Sequence, residues 1–389
     1  MAEIKHDLVY YALCVLCGII CFSPYSTYIV MDRLGIPFSA PEIFIALFCI
    51  VLGTRFRSSF HFDCSFLIKS SICLIVLLLI STIYARYPLY KILGCLRVYF
   101  DLLLVLSLSK SREGLPVETI YCFSIGAVIG GILRGLSAVS SYMVGESNVV
   151  VQCVNMLSVP LAITIPLLYR KWGQFAVSVF LCLFLFIVSG TRRIGIVIVI
   201  PIAVYLLMCR KKFSGLIVIV LLILLANPFY RYAESFVESN VPVLYYRVFQ
   251  KTDALLSGNI DDSDQTRLNI INSITEDLSI FPRGFVSRDT AHHDTGHYID
   301  FPLSELAYSL GYLLAGVLIL FLIYQLFTLY HKYKICDCSM PSIIIIMMVV
   351  MFSLLFVEGT FLSSSYSVPF TGYLLGQFIY YRNSYKHIN

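Results

Sequence analysis

Charge is what this sequence has least of. Asp, Glu, Lys and Arg make up 13% of its 389 residues, about half of the roughly 25% found in soluble domains. Hydrophobic residues make up 59%, above the usual 45–50% or so. A chain so poor in charge cannot cover a globule with polar surface. A soluble enzyme, a disordered chain and a nucleic-acid-binding protein are therefore poor candidates, and an integral membrane protein is expected. The net charge of +5 is not a nucleic-acid signal, because the basic residues are spread along the ends of apolar runs. The small-residue cleavage site of a signal peptide is also missing near the N-terminus, so the first apolar run is read as retained. No internal repeat is visible.

A bilayer core needs about 17–25 apolar residues per helix. Twelve such stretches are present, centred on 8–30, 38–53, 66–84, 92–108, 117–135, 149–169, 175–190, 194–209, 216–230, 302–327, 342–357 and 367–381. The shorter ones require tilting or snorkelling flanks. The expected fold is an all-α integral membrane protein of about twelve transmembrane helices. Residues 1–230 carry spans 1–9, residues 231–301 form a large, partly helical outward (periplasmic) loop, and residues 302–389 carry spans 10–12.

Loop charges orient these spans. Fourteen Lys/Arg, among them Lys5, Arg55, Lys110, Arg170, Lys171, Arg210, Lys332 and Arg382, fall on one side, whereas the short loops of the other side hold five. That bias places both termini in the cytoplasm and the 231–301 loop outside. Ten of the thirteen cysteines lie within spans, and Cys64, Cys336 and Cys338 lie in predicted cytoplasmic loops. An extracytoplasmic disulfide is thereby excluded. Cys14, Cys17 and Cys21 share a helix face but have no His or acid beside them, so they read as small packing residues rather than a metal site.

With charge so scarce, its placement is informative. Arg192 and Arg193 interrupt two apolar runs with almost no room for a loop. Two adjacent cations at an outward membrane edge are costly unless an anion compensates them. The arginine fork matches phosphate; the plainer alternative is interfacial snorkelling. In the loop, 266–278 places apolar residues at 268, 270, 271, 274 and 278, which is one helix face. Arg267 opens that helix against the dipole preference, facing either Asp264 or a substrate phosphate. Residues 288–300 hold three of the seven histidines, but neighbours at 292 and 293 point apart and no i, i+4 pair occurs, so a metal site is not expected. A His or a carboxylate here suits a general base, and a solvated polar loop is the alternative. Arg97 and Asp101 share a face of span 4, as a mutually satisfied pair or as a guide for a charged head group.

Three stretches occur in order: Ser189-Gly190-Thr191-Arg192-Arg193 ending a span, Arg267 opening a helix that leads to Phe281-Pro282-Arg283-Gly284-Phe285, and a His/Asp-rich run entering Ser304-Glu305 through Gly311. Together with twelve spans and a large outward loop, this pattern resembles the superfamily of bacterial O-antigen polymerases (Wzy) and O-antigen ligases. The resemblance covers about residues 180–325 in motifs and the whole chain in topology. It implies a glycosyltransferase in the bacterial inner membrane whose donor and acceptor are undecaprenyl-diphosphate-linked oligosaccharides. It implies no metal, no nucleotide and no other cofactor, and membrane lipids and a polysaccharide chain-length regulator as candidate partners. By position, Arg192 or Arg193 and Arg267 would hold the diphosphate, with Arg247 a further candidate. Ligases carry a His at a position that corresponds here to about Asp300, with His297 three residues earlier, so the base is left open between His297 and Asp300. Glu305 would orient the acceptor. The resemblance favours polymerase; the alternatives are a ligase acting on lipid A–core and, from a different class, a lipid-linked-oligosaccharide flippase.

Overall fold

The computed structural model describes residues 2–22, 64–85, 89–110, 115–143, 156–189, 192–208, 231–232, 234–236, 238–239, 245–250, 253, 257, 265, 269, 272, 279–283, 302–333, 339–357 and 368–383. Regular structure among these residues is helical throughout, with no strand, as composition leads one to expect. The helices are α1 (Ala2–Phe22), α2 (Cys64–Ala85), α3 (Leu89–Lys110), α4 (Val117–Met143), α5 (Ser158–Leu168), α6 (Trp172–Ser189), α7 (Arg192–Met208), α8 (Pro302–Leu310), α9 (Tyr312–Tyr333), α10 (Met340–Val357) and α11 (Val368–Asn383). A six-residue π-turn spans Tyr245–Gln250.

Among the described residues, three helices are long and apolar enough to cross a membrane: α4 over Val117–Ser137, α6, and α9. Their solvent is legible in what they expose. On α9, Leu313, Val317, Leu320, Tyr324 and Phe327 are exposed, and on α6 so are Val177, Phe180 and Phe184. On α2, Ile68, Ile72, Ile75, Leu79 and Ile83 repeat the pattern. Spacings of three and four make each set a stripe down one helix face. Soluble monomers rarely leave such contiguous apolar surface uncovered. Polar groups lie inside instead: Ser107, Ser109, Thr119, Ser124, Gln325 and Gln377 are buried.

The chain divides into two compact units. The first comprises Met1–Ala40, Pro116–Asp262 and Lys334–Val350; the second comprises Pro41–Leu115, Ser263–Tyr333 and Met351–Asn389. In the first, α1 crosses α4 glycine to glycine: a Cβ on Gly18 would sit 2.6 Å from the Phe123 carbonyl oxygen, and one on Gly126 would strike that of Val15. Without a hydrophobic drive between apolar helices in lipid, close backbone approach of this kind supplies the packing energy. Further along α4, Gly131 admits Leu185 of α6 and Gly135 admits Val188. At the other end of the same pair, the Tyr121 and Ser178 hydroxyls are 3.1 Å apart. Residues rising together on both helices make α4 and α6 parallel, and Glu118 and Lys171 pair at 3.7 Å near their starts.

Within the second unit, Gly372 and Gly376 of α11 lie on α3, where Cβ atoms would meet Leu102 and Leu106–Lys110 respectively. Gln377 Nε2 donates to the Ser109 carbonyl at 2.6 Å. These registers make α3 and α11 parallel. Lys332 at the end of α9 donates to the Tyr381 carbonyl of α11 at 2.8 Å, and Lys110 lies 3.9 Å from the ring centre of Phe66 near the start of α2. Thus the C-terminal ends of α9 and α11 meet, as do the end of α3 and the start of α2.

Most expected spans coincide with helices. Spans 2 (38–53) and 9 (216–230) lie outside the described residues. Two spans differ. The 149–169 stretch contains an 11-residue helix, α5, buried at every position. It holds Pro166 internally and ends where Arg170 takes φ +52°. There the Lys171 N–H donates to Pro166 O at 2.9 Å and the Arg170 N–H to Leu167 O at 3.3 Å, which satisfies two otherwise orphaned carbonyls. The 302–327 stretch is not one helix. It breaks at Gly311, which takes φ +77°, so the long apolar helix runs from Tyr312 to Tyr333 and α8 stands before it.

Candidate functional site

α6 is apolar through Val188, and Ser189, buried, ends it. α7 begins at Arg192; Gly190 and Thr191 lie outside the described residues. Two residues leave room only for a hairpin, and its closeness is visible at Gly195, where a Cβ would stand 3.5 Å from the Phe186 ring. Arg192 and Arg193 therefore occupy the first turn of α7. The first four backbone N–H groups of a helix have no acceptor within it and form the positive end of its dipole. A cation there is disfavoured by about 0.3–1 kcal/mol. Two of them make the turn an electropositive point that an anion would relieve twice over. The Arg193 side chain is half-buried and engaged in contacts; Arg192 is described in its backbone alone.

In the 231–301 loop, residues 231–232, 234–236 and 238–239 are helical. Arg231 is held by Glu234 at 3.0 Å and by Asp253 at 3.9 Å. The π-turn follows, with Phe249 buried and stacked on Tyr245 at a ring separation of 6.3 Å. π-turns are rare and concentrate at functional sites. The Tyr245 phenol is pushed above its ordinary value by desolvation, then by the carboxylates of Glu238, Glu234 and Asp253, against the opposing charge of Arg231. Arg247 rides on this turn by its backbone; its side chain is not described. Gln265, Asn269 and Asn272 are helical and exposed, and Gln265 Nε2 donates to Asn269 Oδ1 at 3.2 Å. Their i, i+4, i+7 spacing puts them on one helix face.

The last described part of the loop, 279–283, lies on the break between α8 and α9. The Tyr312 N–H donates to the Ser279 carbonyl at 3.0 Å, and a Cβ on Gly311 would fall on the Ile280 carbonyl oxygen. Only glycine fits a left-handed φ with another backbone pressed against it. Arg283 then reaches back to α8. Its Nη1 donates to the Tyr308 hydroxyl at 3.3 Å, with Cζ 5.0 Å from the ring centre. Tyr308 is buried and Arg283 half-buried.

The expected site residues divide as follows. Arg192, Arg193 and Arg247 fall in the first unit, and Glu305, in α8 by its backbone, falls in the second. Arg267, His297 and Asp300 lie outside the described residues. Two motifs set apart in the sequence are brought together: Phe281-Pro282-Arg283 rests on Tyr308 and Gly311. Arg283 was marked in the sequence by its motif, Phe281-Pro282-Arg283-Gly284-Phe285, but was given no role there, because its contact with Tyr308 has no local signal. Among the described residues no three His, Cys, Asp or Glu side chains converge as metal ligands. No protein-family model matches the sequence, and a search of curated protein sequences finds no match.

Proposed function

We propose that this chain is a twelve-span glycosyltransferase of the bacterial inner membrane, an O-antigen polymerase joining undecaprenyl-diphosphate-linked repeat units on the periplasmic face. The observation that carries the reading is the α6–α7 hairpin: two arginines open α7 two residues after an apolar helix ends. Helix directions support the same topology. α4 and α6 run parallel, as do α3 and α11, and the ends carrying Lys332 and Arg382 meet, as alternating spans with a basic cytoplasmic side require.

In this reading an acceptor sugar hydroxyl attacks the anomeric carbon of the donor, and its proton passes to a base, His297 or Asp300. The carbon–oxygen bond to undecaprenyl diphosphate breaks, and its electron pair leaves with the diphosphate. Negative charge develops on that leaving group. The arginines assigned to the diphosphate by the resemblance, Arg192 or Arg193 with Arg267 and Arg247, are proposed to stabilise it more than they stabilise the bound donor. The outward loop, with Glu305 at its exit, holds the two glycans in line and limits access of water.

The test is single substitution in cells. One of Arg192→Ala and Arg193→Ala, and also Arg267→Ala, is expected to leave lipopolysaccharide carrying single repeat units while the protein accumulates in the membrane. Full-length glycan in all three variants would remove the phosphate-binding assignment. Bare core would point to a ligase instead.

A further inference from the structure

Two exposed apolar side chains sit where a protein would ordinarily hide them. Phe281 is 72% exposed and Ile280 50%. They do not hang from a free loop. Their backbone is fixed to the head of α9 by the Tyr312 N–H to Ser279 carbonyl bond and by the bare face of Gly311. Directly below, the first turn of α9 exposes Tyr312, Leu313 and Leu314, and the exposed apolar face continues through Leu320 to Phe327. At the far end of the same helix stand His331 and Lys332, the basic end. At the end of the strip is Arg283, its guanidinium laid against Tyr308.

The succession of contacts is therefore Arg283 on Tyr308, then phenylalanine and isoleucine beside them, then the head of an apolar helix. It matches the layering of a bilayer edge: phosphates outermost, the interfacial zone where aromatic rings settle, then hydrocarbon. We infer that the strip 279–283 is a lipid anchor. Phe281 and Ile280 sit in the outward leaflet of the bilayer, continuous with the lipid-facing side of α9, and Arg283 meets the phosphates of the lipid head groups. The occupant is phospholipid, because the apolar face the strip extends is that of a candidate span and the cation beside it complements a phosphate layer. The inference rests on reading α9 as a span with its Tyr312 end outward. Its consequence is that the chain is tied to the membrane surface at 279–283.

The chain has one tryptophan, Trp172, so a single fluorescent reporter can be moved. Full-length protein carrying Trp172→Phe and Phe281→Trp is reconstituted in phosphatidylglycerol/phosphatidylcholine vesicles, with lipids brominated either near the head-group end of the acyl chain or near its terminus. The expected result is blue-shifted emission, quenched more by the shallow bromines than by the deep ones and little by aqueous iodide. Emission like that of a water-exposed indole, quenched by iodide, overturns the inference. Blue-shifted emission untouched by either bromolipid also overturns it, because the ring would then be covered by protein, a second copy included. Adding Arg283→Glu to the same background is expected to reduce shallow quenching in anionic vesicles; unchanged quenching removes Arg283 from the phosphate layer. Glycan polymerisation is followed in the same vesicles. A glycan ladder with the reporter in water sinks the anchor alone, whereas a reporter in lipid with no ladder sinks the proposed function alone.

Discussion

The break at Gly311 gives the sharpest quantitative test, because two independent costs fall on one small substitution. In Gly311→Ala the new Cβ must be carried at φ +77°, which costs an L-residue about 1–2 kcal/mol. It would also fall on the Ile280 carbonyl oxygen, 2.8 Å from the Ile280 carbonyl carbon and 2.9 Å from that of Phe281. Those neighbours are backbone, so relief requires the whole strip to move, and overpacking of this kind costs about 1–3 kcal/mol. The total is roughly 2–5 kcal/mol if the two add. Moving the strip would also strain the 3.0 Å bond from Tyr312 to Ser279. Gly316, five residues further along, provides the control: a Cβ there meets nothing within 4 Å, and Ala in a helix interior gains about 0.5–1 kcal/mol over Gly. Thermal unfolding of both purified variants in the same detergent, together with protease cleavage between 279 and 301, makes the comparison. Gly311→Ala should melt well below the parent and be cut faster in the loop, while Gly316→Ala should match or exceed the parent. Equal melting of the two would refute the argument that the strip lies on Gly311.

Three further outcomes follow from the packing and the charges. Gly376→Val places atoms where a Cβ alone would already be 2.8 Å from Leu106 O and 3.0 Å from Lys110 N; a loss of about 1–3 kcal/mol is expected in detergent melting, whereas Gly173→Ala, open on all sides, should be silent. Arg170→Gly removes a side chain from φ +52° and should leave stability equal or raise it by up to about 1 kcal/mol; a lower melting temperature would contradict the cap described there. Because the Tyr245 phenol is raised in the folded loop, its contribution is present below the ordinary tyrosine value of about 10 and fades as pH rises through it. Loop proteolysis should therefore quicken at alkaline pH in the parent, and less so in Tyr245→Phe.

What was legible in the sequence follows from how each feature is encoded. Helices α2, α3, α4, α6, α7, α10 and α11 were marked by continuous apolar runs bounded by charge, and hydropathy needs no tertiary information to reveal them. The α6–α7 hairpin was visible because Arg192 and Arg193 leave so few residues between two runs. The break at Gly311 was not visible by hydropathy, since apolar residues continue across it; it is set by Ser279–Phe281, some thirty residues upstream, and a contact of that separation has no local signature. The shortness of α5 was hinted at by Pro160 and Pro166, both in its apolar run. Arg283 on Tyr308 and the π-turn under Arg247 are tertiary in origin and had no periodic signal. For Arg192, Arg193, Arg247 and Glu305 the fold supplies positions along elements. For Arg267, His297 and Asp300, which lie outside the described residues, the sequence remains the source of the assignment.

The most direct test of the central claim is reconstitution of the purified full-length protein in vesicles with undecaprenyl-diphosphate-linked repeat units, without nucleotide or added divalent metal. A ladder of lengthening glycans, lost in Arg267→Ala, is the predicted result. Transfer of the lipid between leaflets with no change in glycan length would contradict it and make the protein a carrier rather than a transferase.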